Sequence, residues 1–144
     1  MKPTFDLTRP ATWAILIIVP MLTLAQAQTG PGRALSFDGS DDYVKAGSVV
    51  LSNQSFTVEA WARRASSDGN GHCILSQGMD RAHQGLVFGY RDLFLSPFTL
   101  AFYGDDLTTS SGYSDTNWHH WAGTYEALDR VRKLYRDGVE VGNG

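Results

Sequence analysis

The sequence has very little cysteine. Cys73 is the only one among 144 residues, so no disulfide can form within the chain and hydrophobic packing must hold the fold together. An odd cysteine in an exported protein is either buried and inert or pairs with a cysteine elsewhere. The apolar run HCIL around Cys73 favours a buried, unpaired thiol. A partner outside this sequence is the alternative.

The sequence also lacks an apolar run of about 20 residues, the length that a helix needs to cross a bilayer. The longest such run, AILIIVPMLTL at residues 14–24, is short and contains Pro20. Lys2 and Arg9 precede it, and AQA at residues 25–27 has the small-x-small pattern of a signal-peptidase site. These features predict a signal-peptide helix over residues 1–27 and an exported chain over residues 28–144, with no membrane span after cleavage. An uncleaved membrane anchor is the alternative.

The chain also lacks a large excess of positive or negative charge. The formal net charge is −3 at pH 7, and a mildly acidic chain has no electrostatic reason to bind nucleic acid or an anionic membrane surface. We therefore expect no nucleic-acid partner.

After Gln28 there is no sustained apolar period of 3.6 residues. Short β-rich runs alternate instead with segments rich in Gly, Ser, Asn and Asp, which is typical of an all-β sandwich. The predicted strands are Ala34–Phe37, Asp42–Val44, Phe56–Arg63, Cys73–Gln77, Gly85–Tyr90, Thr99–Tyr103, His119–Tyr125, Val131–Tyr135 and Val139–Gly142.

Two of these strands carry particularly clear signals. In Phe56–Arg63, the even-numbered residues are all apolar up to Ala62, while Glu59 and Arg63 fall on the other face. Only the first set can face an apolar core without burying a charge. Asp137-Gly138 lies between two β-rich runs, and this dipeptide predicts a tight hairpin turn because both turn positions require positive φ.

Four segments resemble, in their order and spacing, the laminin-G-like jelly-roll family of extracellular proteins. They are ALSFDGSDDYV at residues 34–44, SFTVEAW at 55–61, NWHHWAGTYE at 117–126 and KLYRDGVEVG at 133–142. The resemblance implies an all-β, concanavalin-A-like fold in which two antiparallel sheets form a jelly-roll sandwich. It also implies further strands after Gly144, so we expect a C-terminally truncated domain with an unpaired sheet edge and marginal stability.

The same fold occurs in glucan hydrolases, so catalysis has to be judged on the residues. Hydrolysis requires two carboxyl groups flanking the scissile bond. The related laminarinases place them on one strand in an E-x-D-x-x-E-like cluster, and none of Glu59, Glu126 and Glu140 begins such a cluster. His119 and His120 are adjacent in a predicted strand and therefore point to opposite faces, which argues against a shared metal ion. We expect no enzymatic activity.

Two groups of residues are candidates for binding. Asp38, Asp41 and Asp42 could supply oxygen ligands to calcium, although aspartates in a turn also bond their own backbone. Glu59, Trp61 and Arg63 share one strand face, where an indole can stack on a sugar ring and its charged neighbours can bond the hydroxyls. Packing of Trp61 under another strand or domain is the alternative.

The sequence therefore predicts a secreted or cell-surface, non-catalytic binding or adhesion module within a larger extracellular protein. Its partner would be a glycan or an extracellular protein, with calcium as the candidate cofactor. Two alternatives stay open at this point. The domain could be a structural spacer without a ligand, or an accessory domain of a glycoside hydrolase.

Overall fold

The computed structural model describes residues 34–91 and 96–144, and in these ranges every regular element is a β-strand. This confirms the predicted all-β class, while the predicted signal-peptide helix lies outside the described residues. No helix in the described part of the chain has both the length and the apolar content that crossing a bilayer requires. The strands are β1 (Phe56–Ala62), β2 (His72–Gly78), β3 (Gly85–Tyr90), β4 (Pro97–Ala101), β5 (Asp106–Gly112), β6 (His119–Glu126), β7 (Val131–Arg136) and β8 (Val139–Asn143).

The strands form two antiparallel sheets of four, the arrangement of a jelly-roll sandwich. Sheet A has the order β1-β6-β7-β8, and sheet B has the order β2-β3-β4-β5. In sheet A, β1 is far from β6 in sequence but pairs with it along its whole length, from Phe56 opposite Tyr125 to Ala62 opposite His119. This long-range pairing brings Trp61 of β1 beside His120 of β6.

The core lies between the sheets and is centred on Trp121 of β6. Its indole stacks on the ring of Phe98 from sheet B, with centroids 3.8 Å apart and planes only 2° from parallel. The indole N–H donates a hydrogen bond of 3.0 Å to the hydroxyl of Tyr90, so its one polar atom is satisfied. Burial raises the pKa of this Tyr90 hydroxyl. Large rings from both sheets thus fill the thin layer between them.

The two sheets pack tightly against each other at Gly123 of β6. A Cβ at this position would lie 3.2 Å from Cε2 of Phe88 and 3.3 Å from Cδ2 of Leu100, both in sheet B. Both of those side chains are fully buried, so they have little room to move aside. A methyl group added here would therefore overpack the core.

The β7–β8 turn confirms the hairpin predicted from Asp137-Gly138. These residues have φ values of 52° and 80°, both positive, as a tight two-residue turn requires. The predicted alternation in β1 is also confirmed, since Phe56, Val58 and Ala62 pack against the core while Trp61 is exposed.

The seven strands predicted from Phe56 onward are all present, with ends shifted by up to two residues. The two predicted earlier, Ala34–Phe37 and Asp42–Val44, are wrong, because residues 34–55 form no strand. A strand needs a neighbour for its backbone groups. Within the described ranges, the segment from residue 37 to 50 is tied to a strand through Val49, whose backbone N–H and C=O bond the side-chain amide of Gln77 at 2.8 and 2.7 Å.

The sequence-based prediction does not include β5, because both of its ends lie in segments rich in Gly, Ser, Asn and Asp, which are typical of turns. In the structure Leu107 and Thr109 of β5 are buried. The hydroxyl of Thr99 donates to the carbonyl of Leu107 at 3.0 Å, and that of Thr109 accepts the N–H of Phe98 at 3.0 Å. Threonine is a good strand residue when its hydroxyl is bonded within the sheet.

Cys73 is exposed rather than buried, which corrects the prediction from the run HCIL. It lies on β2, an edge strand of sheet B, where Cys73 and Leu75 are exposed while Ile74 packs against the core. The apolar run is divided between two faces of a strand, and the thiol falls on the outer one.

Candidate ligand-binding face

The candidate site is the outer face of sheet A, which points away from sheet B. The register places Glu59, Ala122, Tyr135 and Glu140 in one row across the four strands, and Trp61 and His120 in the row beside it. Thr57, Thr124 and Lys133 form a third row on the same face. The face therefore combines aromatic rings, hydroxyl groups and a few charges.

Trp61 is the most prominent side chain of this face, with 59% of its surface exposed. Its ring lies beside that of His120, with centroids 5.5 Å apart and planes inclined by 49°. Nε2 of His120 is 3.5 Å from a carboxylate oxygen of Glu59. The indole is thus supported from one side, while polar groups lie within reach of anything that stacks on it.

A second indole lies at the end of the same face. Trp118 directly precedes β6 and is 38% exposed, and the guanidinium carbon of Arg63 lies 5.5 Å from its ring centroid. The predicted residues Glu59, Trp61 and Arg63 are therefore together on one exposed face. Trp118 and His120 were not predicted as members, because no local pattern reveals that β6 pairs with β1.

His119 points the other way from His120, as expected for neighbours in a strand. Its Nε2 contacts a carboxylate oxygen of Asp115 at 2.7 Å, and its Nδ1 contacts one of Asp137 at 2.6 Å. The hydrogen bond from His119 and that from the backbone N–H of His120 lower the pKa of Asp137. Burial raises the pKa of Asp115, but hydrogen bonds from His119 and the Asn117 N–H outweigh it and leave that pKa below its usual value. This network ties the β5–β6 loop and the β7–β8 turn to β6.

The predicted calcium residues do come together. Asp38, Asp41 and Asp42 each offer a carboxylate oxygen within 4.8 Å of the others, and all three are exposed. Two of these carboxylates also bond the turn itself, because Asp38 accepts the N–H of Ser40 at 2.8 Å and Asp42 accepts the N–H of Asp38 at 3.1 Å. The Asp41 carboxylate takes part in neither of these two hydrogen bonds. The geometry suits both a cation and a self-capped turn.

The acidic loop at Asp105 and Asp106 does not join this cluster. Asp105 bonds the guanidinium of Arg132 at 2.7 Å, and Asp106 bonds that of Arg91 at 3.0 Å. Both carboxylates are therefore already paired with arginine.

The three glutamates are spread over the structure. Glu126 accepts a hydrogen bond of 2.6 Å from the hydroxyl of Ser55, and Glu140 is paired with Lys133 at 3.0 Å. Glu59 and Glu140 share a row, but three strand spacings separate their backbones by about 14 Å. The outer face is suited to stacking and hydrogen bonding.

Residues 38–144 match a laminin G family described as the concanavalin A-like lectin/glucanases superfamily. The chain belongs to this family. The match covers all eight strands and the acidic turn, and laminin G-like domains are generally binding modules rather than catalysts. No curated protein and no solved structure matches the chain significantly.

Proposed function

We propose that this laminin G-like domain is a secreted, non-catalytic binding or adhesion module that recognises carbohydrate through the outer face of sheet A. Glu59, Trp61 and Arg63 would form the centre of the binding site. An extracellular protein partner is the other ligand class that such a face could take.

One observation carries this proposal, the exposure of Trp61 beside polar groups. A large apolar ring that is 59% exposed loses hydrophobic stabilisation unless a ligand covers it. Glu59 shares the strand face with Trp61 and can accept hydrogen bonds. Arg63 directly follows β1, lies beside Trp118 and can donate hydrogen bonds. Sugar rings have an apolar face edged by hydroxyl groups, which fits an indole flanked by such donors and acceptors.

The test is a glycan array probed with the full chain and with Trp61→Ala, both with and without calcium. The native chain should bind at least one glycan, and the variant should lose that signal. Leu128→Ala is a matched control, because Leu128 is also apolar and 88% exposed but lies in the β6–β7 turn. Silence of the native chain on every glycan would favour a spacer domain, and equal binding by Trp61→Ala would exclude the outer face.

The acidic turn is the proposed calcium site, with Asp38, Asp41 and Asp42 as ligands. Calcium prefers six to eight oxygen ligands, so backbone carbonyls and water would complete the shell. Asp41→Asn is the sharpest variant, because the hydrogen bonds that hold the turn come from Asp38 and Asp42. Millimolar calcium should raise the unfolding temperature of the native chain and leave that of Asp41→Asn unchanged. An equal response of both proteins would exclude this site.

We also propose that the chain is exported from the cell. Residues 1–27 would be a signal peptide cleaved after Ala27, and residues 28–144 the exported domain. Mass spectrometry of the chain recovered from the medium or cell surface should give an N-terminus at Gln28. A chain that stays in the cytoplasm with Met1 intact would contradict export.

A further inference from the structure

The outer face of sheet A contains two exposed indoles, and their placement relative to each other is informative. Trp61 lies opposite His120 in the β1–β6 ladder, and Trp118 directly precedes β6, two residues before His120. Arg63, two residues after Trp61, places its guanidinium carbon 5.5 Å from the Trp118 ring centroid and so links the two indoles.

Both indoles are accessible and each has a polar neighbour on the same face. Trp61 is 59% exposed and Trp118 is 38% exposed. The Glu59 carboxylate lies one row from Trp61, and the Arg63 guanidinium lies 5.5 Å from the Trp118 ring centroid. Each ring thus has the same pairing of an apolar surface with a hydrogen-bonding group.

The charges of this face cancel. Glu59 and Arg63 have opposite signs, two residues before and two residues after Trp61, and Lys133 and Glu140 form an ion pair of 3.0 Å further along the sheet. An anionic polymer would require a surface dominated by positive charge, which the outer face does not provide.

From these observations we infer that the outer face binds a neutral oligosaccharide across two adjacent subsites, one at Trp61 and the other at Trp118. This inference rests on the proposed function and extends it to the class and minimum length of the ligand. Trp61 with Glu59 forms the first subsite, and Trp118 with Arg63 forms the second. A ligand of at least two sugar rings is needed to cover both indoles.

The first experiment is affinity electrophoresis of the full chain through gels that contain xylan, hydroxyethylcellulose, galactomannan or heparin. We expect retardation by at least one neutral polysaccharide and none by heparin. Trp61→Ala should abolish the retardation. Trp118→Ala should weaken binding roughly three- to tenfold, the effect of losing one aromatic stacking contact. Leu128→Ala should behave like the native chain.

The second experiment is isothermal titration calorimetry with the mono-, di- and tetrasaccharides of the polymer that retards the chain. The disaccharide should bind more tightly than the monosaccharide in the native chain, and Trp118→Ala should remove that difference. Trp118→Tyr keeps an aromatic surface and should retain most of the affinity. Near-UV circular dichroism, which reports on the buried Trp121 stack, verifies that each variant is folded.

The outcomes separate this inference from the proposed function. Equal affinity for mono- and tetrasaccharide, or unchanged binding by a folded Trp118→Ala, would reduce the site to one ring and overturn only the two-subsite inference. If heparin retarded the native chain and Trp61→Ala abolished that retardation, the inference of a neutral ligand would be wrong. No retardation by any polymer, or retardation unaffected by Trp61→Ala, would overturn the proposed function as well.

Discussion

The two sheets have strands of similar length but use their outer surfaces differently. In β3 and β4 of sheet B, residues on both faces are buried, with Val87 alone half-buried. In β1 of sheet A, half-buried and exposed residues alternate along the whole strand. The strands β3 and β4 therefore leave no exposed side chain for a ligand, whereas β1 presents a row of exposed side chains on one face.

Two tryptophans show this difference at neighbouring positions. Trp121 lies opposite Ala60, and Trp61 lies opposite His120, one step along the same ladder. Trp121 is fully buried while Trp61 is 59% exposed. Because successive residues of a strand point to opposite faces, one indole fills the core and the other is open to solvent. Removing each in turn should separate stability from binding.

The largest effect is expected for Trp121→Ala. The substitution removes the ring stacked on Phe98 and leaves a cavity between the sheets, which costs about 3–5 kcal/mol in the free energy of unfolding. Urea denaturation of the full chain, followed by circular dichroism, measures this value. Tyr90→Phe, which removes only the hydrogen-bond acceptor of the indole, should cost about 1 kcal/mol. If Trp121→Ala lowered the free energy of unfolding by less than about 1 kcal/mol, the core would be centred elsewhere.

Gly123→Ala should have the next largest effect. The added methyl group would lie 3.2–3.3 Å from Phe88 and Leu100, and overpacking of a core typically costs about 1–3 kcal/mol. Gly47→Ala is the matched control, because a Cβ at Gly47 meets no atom within 4 Å. The urea midpoint should fall for Gly123→Ala and stay within error for Gly47→Ala. Equal urea midpoints for the two variants would mean that the sheets leave room for a methyl group at Gly123.

Much of this fold could be predicted from local patterns. The alternation in β1 and the Asp137-Gly138 turn depend on neighbours in sequence, and both are confirmed. The strand β5 was missed because Ser and Thr are equally suited to loops until their hydroxyls find partners on a neighbouring strand, as Thr108 finds Thr99 and Thr109 finds Phe98. The segment before Phe56 was wrongly predicted as two strands, since its composition suits a strand but does not provide a neighbouring strand.

The candidate site was predictable only in part, for a related reason. Glu59, Trp61 and Arg63 lie on one strand, so a two-residue period was enough to group them. Trp118 and His120 reach the same face through the pairing of β1 with β6, and this contact spans about 60 residues of sequence. No local pattern carries that information, so the second indole could be recognised only in the structure.

Acid should destabilise the chain in part through Asp137, whose carboxylate bonds His119 of sheet A. The lowered pKa of Asp137 means that the ionised carboxylate favours the folded state. This stabilisation is present above the unfolded-state pKa of about 3.9 and is lost as the pH falls through the lower folded-state pKa. Asp137→Asn keeps a residue that accepts positive φ but removes the charge. Urea midpoints from pH 6 to pH 2 should fall less steeply for the variant, and parallel curves would contradict a role for this carboxylate.

The smallest change in stability is expected for Trp61→Ala. This side chain is 59% exposed and lies beside His120, so its loss should cost about 0.5–1 kcal/mol through reduced strand propensity and lost contact. The same variant should lose binding to the glycan that the native chain recognises. A loss of stability comparable to that of Trp121→Ala would mean that Trp61 is a packing residue. The outer face of sheet A would then be an interior surface, and the proposed binding site would have to be abandoned.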